Sequence, residues 1–179
     1  MSDLQITSSA ALSSDDWGEL TALCVAAFDE PWDGYWESIG QGVHVIARDA
    51  AGRVQAHAAI VDRVLYPGEL ELPTAYVEAV AVLPERQRSG LGTEVMEVID
   101  RMIDERYQLG ALGTGSQPFY ERLGWEVWRG PTWVRNRDGN LERSAGEDGG
   151  IMVRRTRSTP PALDLDAPIA VDWRPGEVW

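Results

Sequence analysis

Cysteine is nearly missing from this sequence: Cys24 stands alone among 179 residues. A single thiol cannot close an internal disulfide, which fits a reducing compartment and sets the expectation of a cytoplasmic protein. Histidine is almost as scarce. His44 and His57 sit apart in strand-like segments with no ligand spacing around them, so no metal site is expected. No apolar stretch reaches the roughly 18 residues that a membrane helix needs. Met1 to Gln5 lack a basic stretch leading into an apolar core, so no secretory leader is expected. Positive charge is limited too: 16 basic residues face 29 acidic ones, for a net charge of −13. That field opposes nucleic acid and anionic membranes and favours cationic ligands, although acidity that merely keeps a protein soluble would look the same. The positions of the acids must decide.

What is present is the profile of a globular chain, 44% hydrophobic and 25% charged. Its length suits one domain over residues 1–179. Asp15 to Phe28 reads as a helix, capped by Ser13 or Ser14, with Trp17, Leu20, Leu23, Cys24, Ala27 and Phe28 on one side. Cys24 on that face is a small core residue. From Glu30 to Gly42 the pattern breaks, and acids alternate with Trp32, Tyr35 and Trp36, as in a loop or short helix near a site. Val43–Arg48, Val54–Tyr66 and Thr74–Leu83 then read as three strands of an antiparallel meander, with turns at Ala50-Ala51-Gly52 and Pro67-Gly68. Gly90–Arg106 is a second amphipathic helix, Leu109–Leu112 a short strand, and Gln117–Leu123 a short helix stopped by Gly124. Trp125–Trp128, Thr132–Val134 and Ile151–Arg155 are extended; Asn136–Gly150 reads as a mobile loop. The tail from Ser158 is rich in proline and acid and ends on Val171, Trp173 and Trp179. A meander followed by alternating helices and strands implies an α+β (mixed α/β) protein, a mixed sheet with helices packed on it.

The most informative segment is Gln87-Arg88-Ser89-Gly90-Leu91-Gly92, between a strand and a helix. The first N–H groups of a helix have no internal partners, and its dipole favours an anion there. Glycine lets phosphate oxygens approach the main chain, and Arg88 adds a cation, so a pyrophosphate is the natural guest. Alone this is weak, since any strand can run into a helix through a glycine turn. Two features strengthen it. In the strand Val77-Glu78-Ala79-Val80-Ala81-Val82, Glu78 and Ala79 interrupt a β-branched run, which suits a kink that frees main-chain groups to pair with an extended, amide-bearing cofactor arm. The segment Pro118-Phe119-Tyr120-Glu121-Arg122-Leu123-Gly124-Trp125 follows with a short helix carrying a tyrosine.

This combination resembles the GNAT superfamily, whose acetyl-CoA pyrophosphate loop has the pattern Gln-x-x-Gly-x-Gly. Tyr76 to Val82, Tyr107-Gln108-Leu109-Gly110-Ala111-Leu112 and the ending Asp172-Trp173-Arg174-Pro175-Gly176-Glu177-Val178-Trp179 are similar to the aminoglycoside 2'-N-acetyltransferases. The resemblance implies the GNAT acyl-CoA N-acyltransferase fold, a mostly antiparallel mixed sheet with helices on both faces. It implies no metal, acetyl-CoA as cosubstrate, and a possible homodimer. Val80, Ala81 and Val82 would hold the pantetheine arm, and Gln87, Arg88, Ser89, Gly90, Leu91 and Gly92 the pyrophosphate, with Ser116 added on the CoA side. Glu78 would face the acceptor amine as general base, and Tyr120 would point at the CoA sulfur. Glu30 or Asp33, with Trp32, Ala79, Gly113, Asp148, Glu177 and the Trp179 carboxylate, would meet a polycationic aminoglycoside, of the gentamicin and tobramycin type or kasugamycin. Ala79 stands where these relatives have glycine, and Gly113-Thr114-Gly115-Ser116 replaces a serine run. Two other readings stay open: a GNAT enzyme for a polyamine or peptide amine, and a catalytically silent module that binds CoA or drug.

Overall fold

Ser13 starts the first helix in the way its sequence allows. In the computed structural model, which describes residues 3–179, the Ser13 side chain accepts from the Asp16 N–H while the Asp16 carboxylate accepts from the Ser13 N–H, a reciprocal capping box. The helix, α1 (Ser14–Phe28), ends at Asp29, which adopts left-handed backbone with φ 56°. It buries Leu20, Leu23 and Cys24 against Ile46, Val54, Ala79 and Ala81. Leu20 is fully inaccessible, and cutting such a side chain to alanine costs about 2–5 kcal/mol. Burial also pushes the Cys24 thiol up to about 12, so the sulfur is inert at neutral pH.

The chain forms two compact units, Met1–Val61 with Val77–Arg101, and Asp62–Tyr76 with Met102–Trp179. The first holds β1 (Asp3–Ser8), α1, α2 (Tyr35–Ile39), β2 (Gly42–Arg48) and the opening half of β3 (Val54–Pro67). It also holds the closing half of β4 (Leu72–Val82) and most of α3 (Leu91–Arg106). β1 pairs antiparallel with β2 from Asp3↔Arg48 to Ser8↔Val43, and β2 pairs antiparallel with β3 from Gly42↔Val61 onward. Strand β1 was not expected: Leu4 and Ile6 alternate with polar residues, but the segment is short and mostly exposed. Gly42 begins β2 because a Cβ there would lie 2.4 Å from the Ile60 carbonyl oxygen.

The second unit holds β5 (Leu109–Gly113), α4 (Gln117–Glu121), β6 (Glu126–Val127), β7 (Thr132–Arg135), β8 (Leu141–Arg143), β9 (Ile151–Arg155) and β10 (Ile169–Asp172). Its strand order is β6-β9-β5-β4-β3-β10-β7-β8. β5 is parallel to β4 over Thr74–Tyr76 and antiparallel to β9, while β10 is antiparallel to β3 and parallel to β7. The mixed α+β architecture is therefore as the sequence implied. Its core gathers Leu65, Tyr76, Leu109, Trp128, Val153 and Val171.

Two expectations are corrected here. Asn136–Gly150 is not a mobile loop: β7 and β8 form an antiparallel hairpin, and Asn136 Oδ1 closes its turn by accepting from the N–H groups of Asp138 and Asn140. The tail is not merely anchored by Val171, since Ile169–Asp172 enters the sheet as β10.

Candidate active site

The glycine turn before α3 is built as the sequence demands. A single helical turn over Pro84–Arg86 leads to Gln87, after which Arg88 takes φ 60° and Gly90 φ 91°. Two left-handed residues reverse the chain so that α3 starts at Leu91, which is buried, while Gln87 to Gly90 stay exposed. Ser89 Oγ donates to the Arg86 carbonyl at 2.6 Å and braces the turn. The exposed helix N-terminus and the Arg88 guanidinium fit a pyrophosphate.

The β4 kink is equally concrete. Ala79 lies in the left-handed region at φ 51°, a conformation that costs an L-residue about 1–2 kcal/mol. It follows three residues after Tyr76, the last β4 residue in register with β5. The kink buries Glu78, which is 6% exposed, and the Tyr35 phenol donates to Glu78 Oε2 at 2.8 Å. Tyr35 belongs to an aromatic cluster on α2 and the loop before it. Its ring lies 4.1 Å from Trp32, and Trp32 stacks on Phe28 at 5.0 Å. Trp32 is buried, whereas Glu30 and Asp33 beside it are exposed. This unit thus gathers Trp32, Tyr35, Glu78 and Ala79 and leaves the two early acids on its surface.

Under the kink lies an arrangement that the sequence reading missed. Ser9 Oγ lies 2.8 Å from His44 Nε2, His44 Nδ1 lies 2.9 Å from His57 Nε2, and His57 Nδ1 lies 2.8 Å from the Ala79 carbonyl oxygen. His44 pairs with Ala59 and His57 with Ile46, so the two residues are diagonal neighbours on one face of the hairpin. Burial pushes His44 down to about 4. Burial, reinforced by the neighbouring His44, pushes His57 down to about 3. Both rings are neutral at pH 7. The irregularity between Ala47 and Arg48 shifts the register by one residue, so counting back from the turn at residues 50–52 would place the two histidines on opposite faces.

In the second unit, Tyr120 is buried in α4, edge-on to Phe119, and its main-chain carbonyl accepts from the Leu123 and Trp125 N–H groups. Burial raises its phenol to about 12, so it carries its proton throughout the neutral range. Gly113 lies beside the chain end: a Cβ on it would sit 3.6 Å from the Tyr76 hydroxyl and 3.9 Å from the Trp179 carboxyl carbon. The Trp179 indole donates to Ser144 Oγ at 2.9 Å. Ser144 Oγ bonds Thr132 Oγ1 at 3.0 Å, and Thr132 Oγ1 donates to Asp148 at 3.0 Å. The Arg63 guanidinium holds the tail by donating to main-chain carbonyls, those of Asp172 at 2.6 Å and of Val178. Ser116 and Glu177 are exposed.

Asp148 is paired within the protein. Its carboxylate is gripped by Arg143 through both oxygens and also accepts from the Thr132 N–H at 3.0 Å. These bonds, with Arg143 first, hold it well below the usual carboxylate range. Its charge is thus balanced by Arg143, and its bonds tie the β7–β8 hairpin and, through Thr132 and Ser144, the last tryptophan. Among the described residues, no group of three or more His, Cys, Asp or Glu side chains could hold a metal ion, and no helix is long and apolar enough to cross a membrane.

A kinked strand, a glycine turn at a helix start and a mixed sheet define a class, and comparison with known families agrees: residues 9–128 match the acetyltransferase (GNAT) domain, and the chain belongs to that family. At finer grain, it is 36% identical over 162 residues to the aminoglycoside 2'-N-acetyltransferase of Mycolicibacterium fortuitum, covering 88% of this chain and 82% of that protein. It is also 32% identical over 180 residues to N-acetyltransferase Eis of Mycobacterium tuberculosis, covering 90% of this chain but only 44% of that longer protein. Among solved structures, the GNAT family N-acetyltransferase YhbS of Escherichia coli, in complex with CoA, superposes with a TM-score of 0.66 at 18% identity, covering 96% of this chain and 89% of the other. Escherichia coli ElaA gives 0.63 at 18% identity, covering 87% and 100%. At these identities the two structures establish the fold.

Proposed function

We propose that this chain transfers the acetyl group of acetyl-CoA to the 2'-amino group of an aminoglycoside, directly and without a covalent enzyme intermediate. The observation that carries the reading is the buried Glu78 carboxylate, held by Tyr35 at the β4 kink, in a chain homologous over most of its length to an aminoglycoside 2'-N-acetyltransferase. Acetyl-CoA supplies an activated acetyl group as its thioester. The turn at Gln87 to Gly92 and the main chain of Val80 to Val82 are the parts suited to hold its pyrophosphate and its pantetheine arm.

An aminoglycoside amine is largely protonated near neutral pH and attacks only as the free base. Glu78 accepts its proton, directly or through one water. The Val80 N–H, next to the kink, donates to the oxygen on which negative charge develops. Tyr120, protonated and desolvated, donates to the departing thiolate. The acceptor is cationic, and the chain's −13 net charge favours its capture and orientation. Glu30, Asp33, Glu177 and the Trp179 carboxylate are the acids proposed to recognise it.

The test is release of CoA thiol with a panel of acceptors: gentamicin, tobramycin, kanamycin A, kasugamycin, spermidine and a lysine peptide. All 16 basic residues of the chain are arginine, so the protein's own side chains offer no amine to compete. Turnover with the 2'-amino compounds but not with kanamycin A, which carries a hydroxyl there, supports the proposal. Turnover confined to spermidine or peptide keeps acetyl transfer and discards the substrate. No turnover, with CoA still bound, favours a silent binding module.

A further inference from the structure

The Ser9–His44–His57 chain ends on the carbonyl of the strained residue that follows the proposed base, and its proton inventory is fixed from that end. The Ala79 oxygen can only accept, so His57 Nδ1 carries a hydrogen. Neutral His57 then has a bare Nε2, which must accept, so His44 Nδ1 carries a hydrogen. His44 Nε2 is bare in turn and accepts from the Ser9 hydroxyl. Ser9 Oγ accepts the Gly42 N–H at 2.9 Å, which ties the far end to the main chain of β2. Every hydrogen points toward Ala79. Neither end is a group that takes up or releases a proton near neutral pH, so the chain is unsuited to proton relay. Its surroundings make it rigid: both rings are at most 1% exposed, Trp17 lies edge-on to His44 at 5.3 Å, and Trp36 lies 5.7 Å from His57.

We propose that Ser9, His44 and His57 act as a clamp, a set of positioning residues that holds Ala79 in its left-handed turn and thereby aims the Glu78 carboxylate and the Val80 N–H. The inference rests on the reading of Glu78 as the base. It explains how an alanine serves at a backbone conformation that glycine adopts freely. The bond from His57 fixes the direction of the Ala79 carbonyl, and that plane sets the exit direction of the two groups on either side. Reacting groups displaced by about 1 Å can lose on the order of a hundredfold in rate, so a clamp on the kink acts on turnover more than on cosubstrate affinity.

The experiment compares three variants of the full chain. His57→Leu removes the donor to Ala79. His57→Asn keeps an amide N–H near the place of imidazole Nδ1. His57→Leu with Ala79→Gly removes the donor and also the Cβ that strains the turn. Expected in His57→Leu is a kcat reduced at least about tenfold, with acetyl-CoA affinity within a few-fold of the parent and a crystal structure in which Ala79 has left positive φ. His57→Asn and the double variant are expected to recover most of the lost kcat. Unchanged kcat in His57→Leu overturns the clamp, and so does a loss that neither His57→Asn nor Ala79→Gly restores, or Ala79 remaining at positive φ in His57→Leu. Should His57→Leu not fold, nitrogen NMR of the parent decides: hydrogens on Nδ1 of both rings support the clamp, and a hydrogen on His57 Nε2 overturns it. A parent silent toward every acceptor refutes the functional reading instead, while the φ of Ala79 and the tautomers still judge the clamp.

Discussion

The phenol of Tyr35 and the carboxylate of Glu78, 43 residues apart in sequence, meet at 2.8 Å. A hydrogen bond donated to a carboxylate favours its ionised form. The Tyr35→Phe variant is therefore expected to move the acidic limb of the kcat/KM profile to higher pH. Its activity should fall about tenfold on the acidic limb and less on the plateau, since a bond to a charged group is worth roughly 1.5–3 kcal/mol. A pH–rate profile of both proteins checks it; a uniform loss at all pH values would show that Tyr35 only shapes the pocket.

Replacing Tyr120 by phenylalanine removes one oxygen from a buried ring and keeps its packing on Phe119 and Trp125. Expected is a fall in kcat of about 10²–10⁴, the usual worth of a general acid, with acetyl-CoA affinity preserved. Steady-state kinetics with equilibrium binding of CoA tests this. A change in affinity alone would remove Tyr120 from the proton-donating role.

The histidine pair predicts how stability depends on acidity. In the folded protein His44 titrates near 4 and His57 near 3, against 6.5 for each when exposed. Below 6.5 the unfolded chain binds protons that the folded chain refuses, so stability is complete above that pH and is lost as pH falls toward 4 and then 3. For His44 alone the displacement from 6.5 to about 4 is worth on the order of 3 kcal/mol. Urea midpoints measured between pH 7 and pH 4 should decline steeply for the parent and less for His57→Asn.

The chain end is the next test. Trp179 donates to Ser144, and Arg63 holds the Val178 carbonyl. Deleting Glu177 to Trp179 is expected to raise the acceptor KM at least about tenfold, the effect of losing roughly 1.4 kcal/mol, while leaving CoA affinity unchanged. Calorimetric binding of each ligand separates the two. Equal weakening of both would mean that the deletion disrupts the unit as a whole.

Much of this is legible in the sequence, and for identifiable reasons. The apolar spacing of Leu20, Leu23 and Cys24 gave α1, and Ser13 gave its start. The turn at Arg88 and Gly90 was visible because positive φ and a helix start leave glycine behind. What escaped depends on long-range register. The His44–His57 contact requires knowing that residue 44 faces 59 and not 57. Tyr35 could be placed near a site, but not on Glu78, because the loop before α2 has no period to fix its direction. β10 was hidden by the prolines and acids around it, and the β7–β8 hairpin by its polar turn. Asp148 was legible as an acid, but its partner Arg143 lies in a segment that looked unstructured.

Arg63 grips the tail through the carbonyl oxygens of Asp172 and Val178, which every amino acid carries. These two bonds are therefore indifferent to the identity of the residues between them. Mutations at Trp173 or Glu177 can change what the tail presents while the tail stays moored, whereas Arg174, whose Nε donates to the Glu177 carbonyl and whose guanidinium lies over the Tyr76 ring, belongs to the mooring. A lineage under changing chemical challenge can thus sample new endings without first paying with the loss of the fold, and divergence among close homologues should concentrate between these two mooring points.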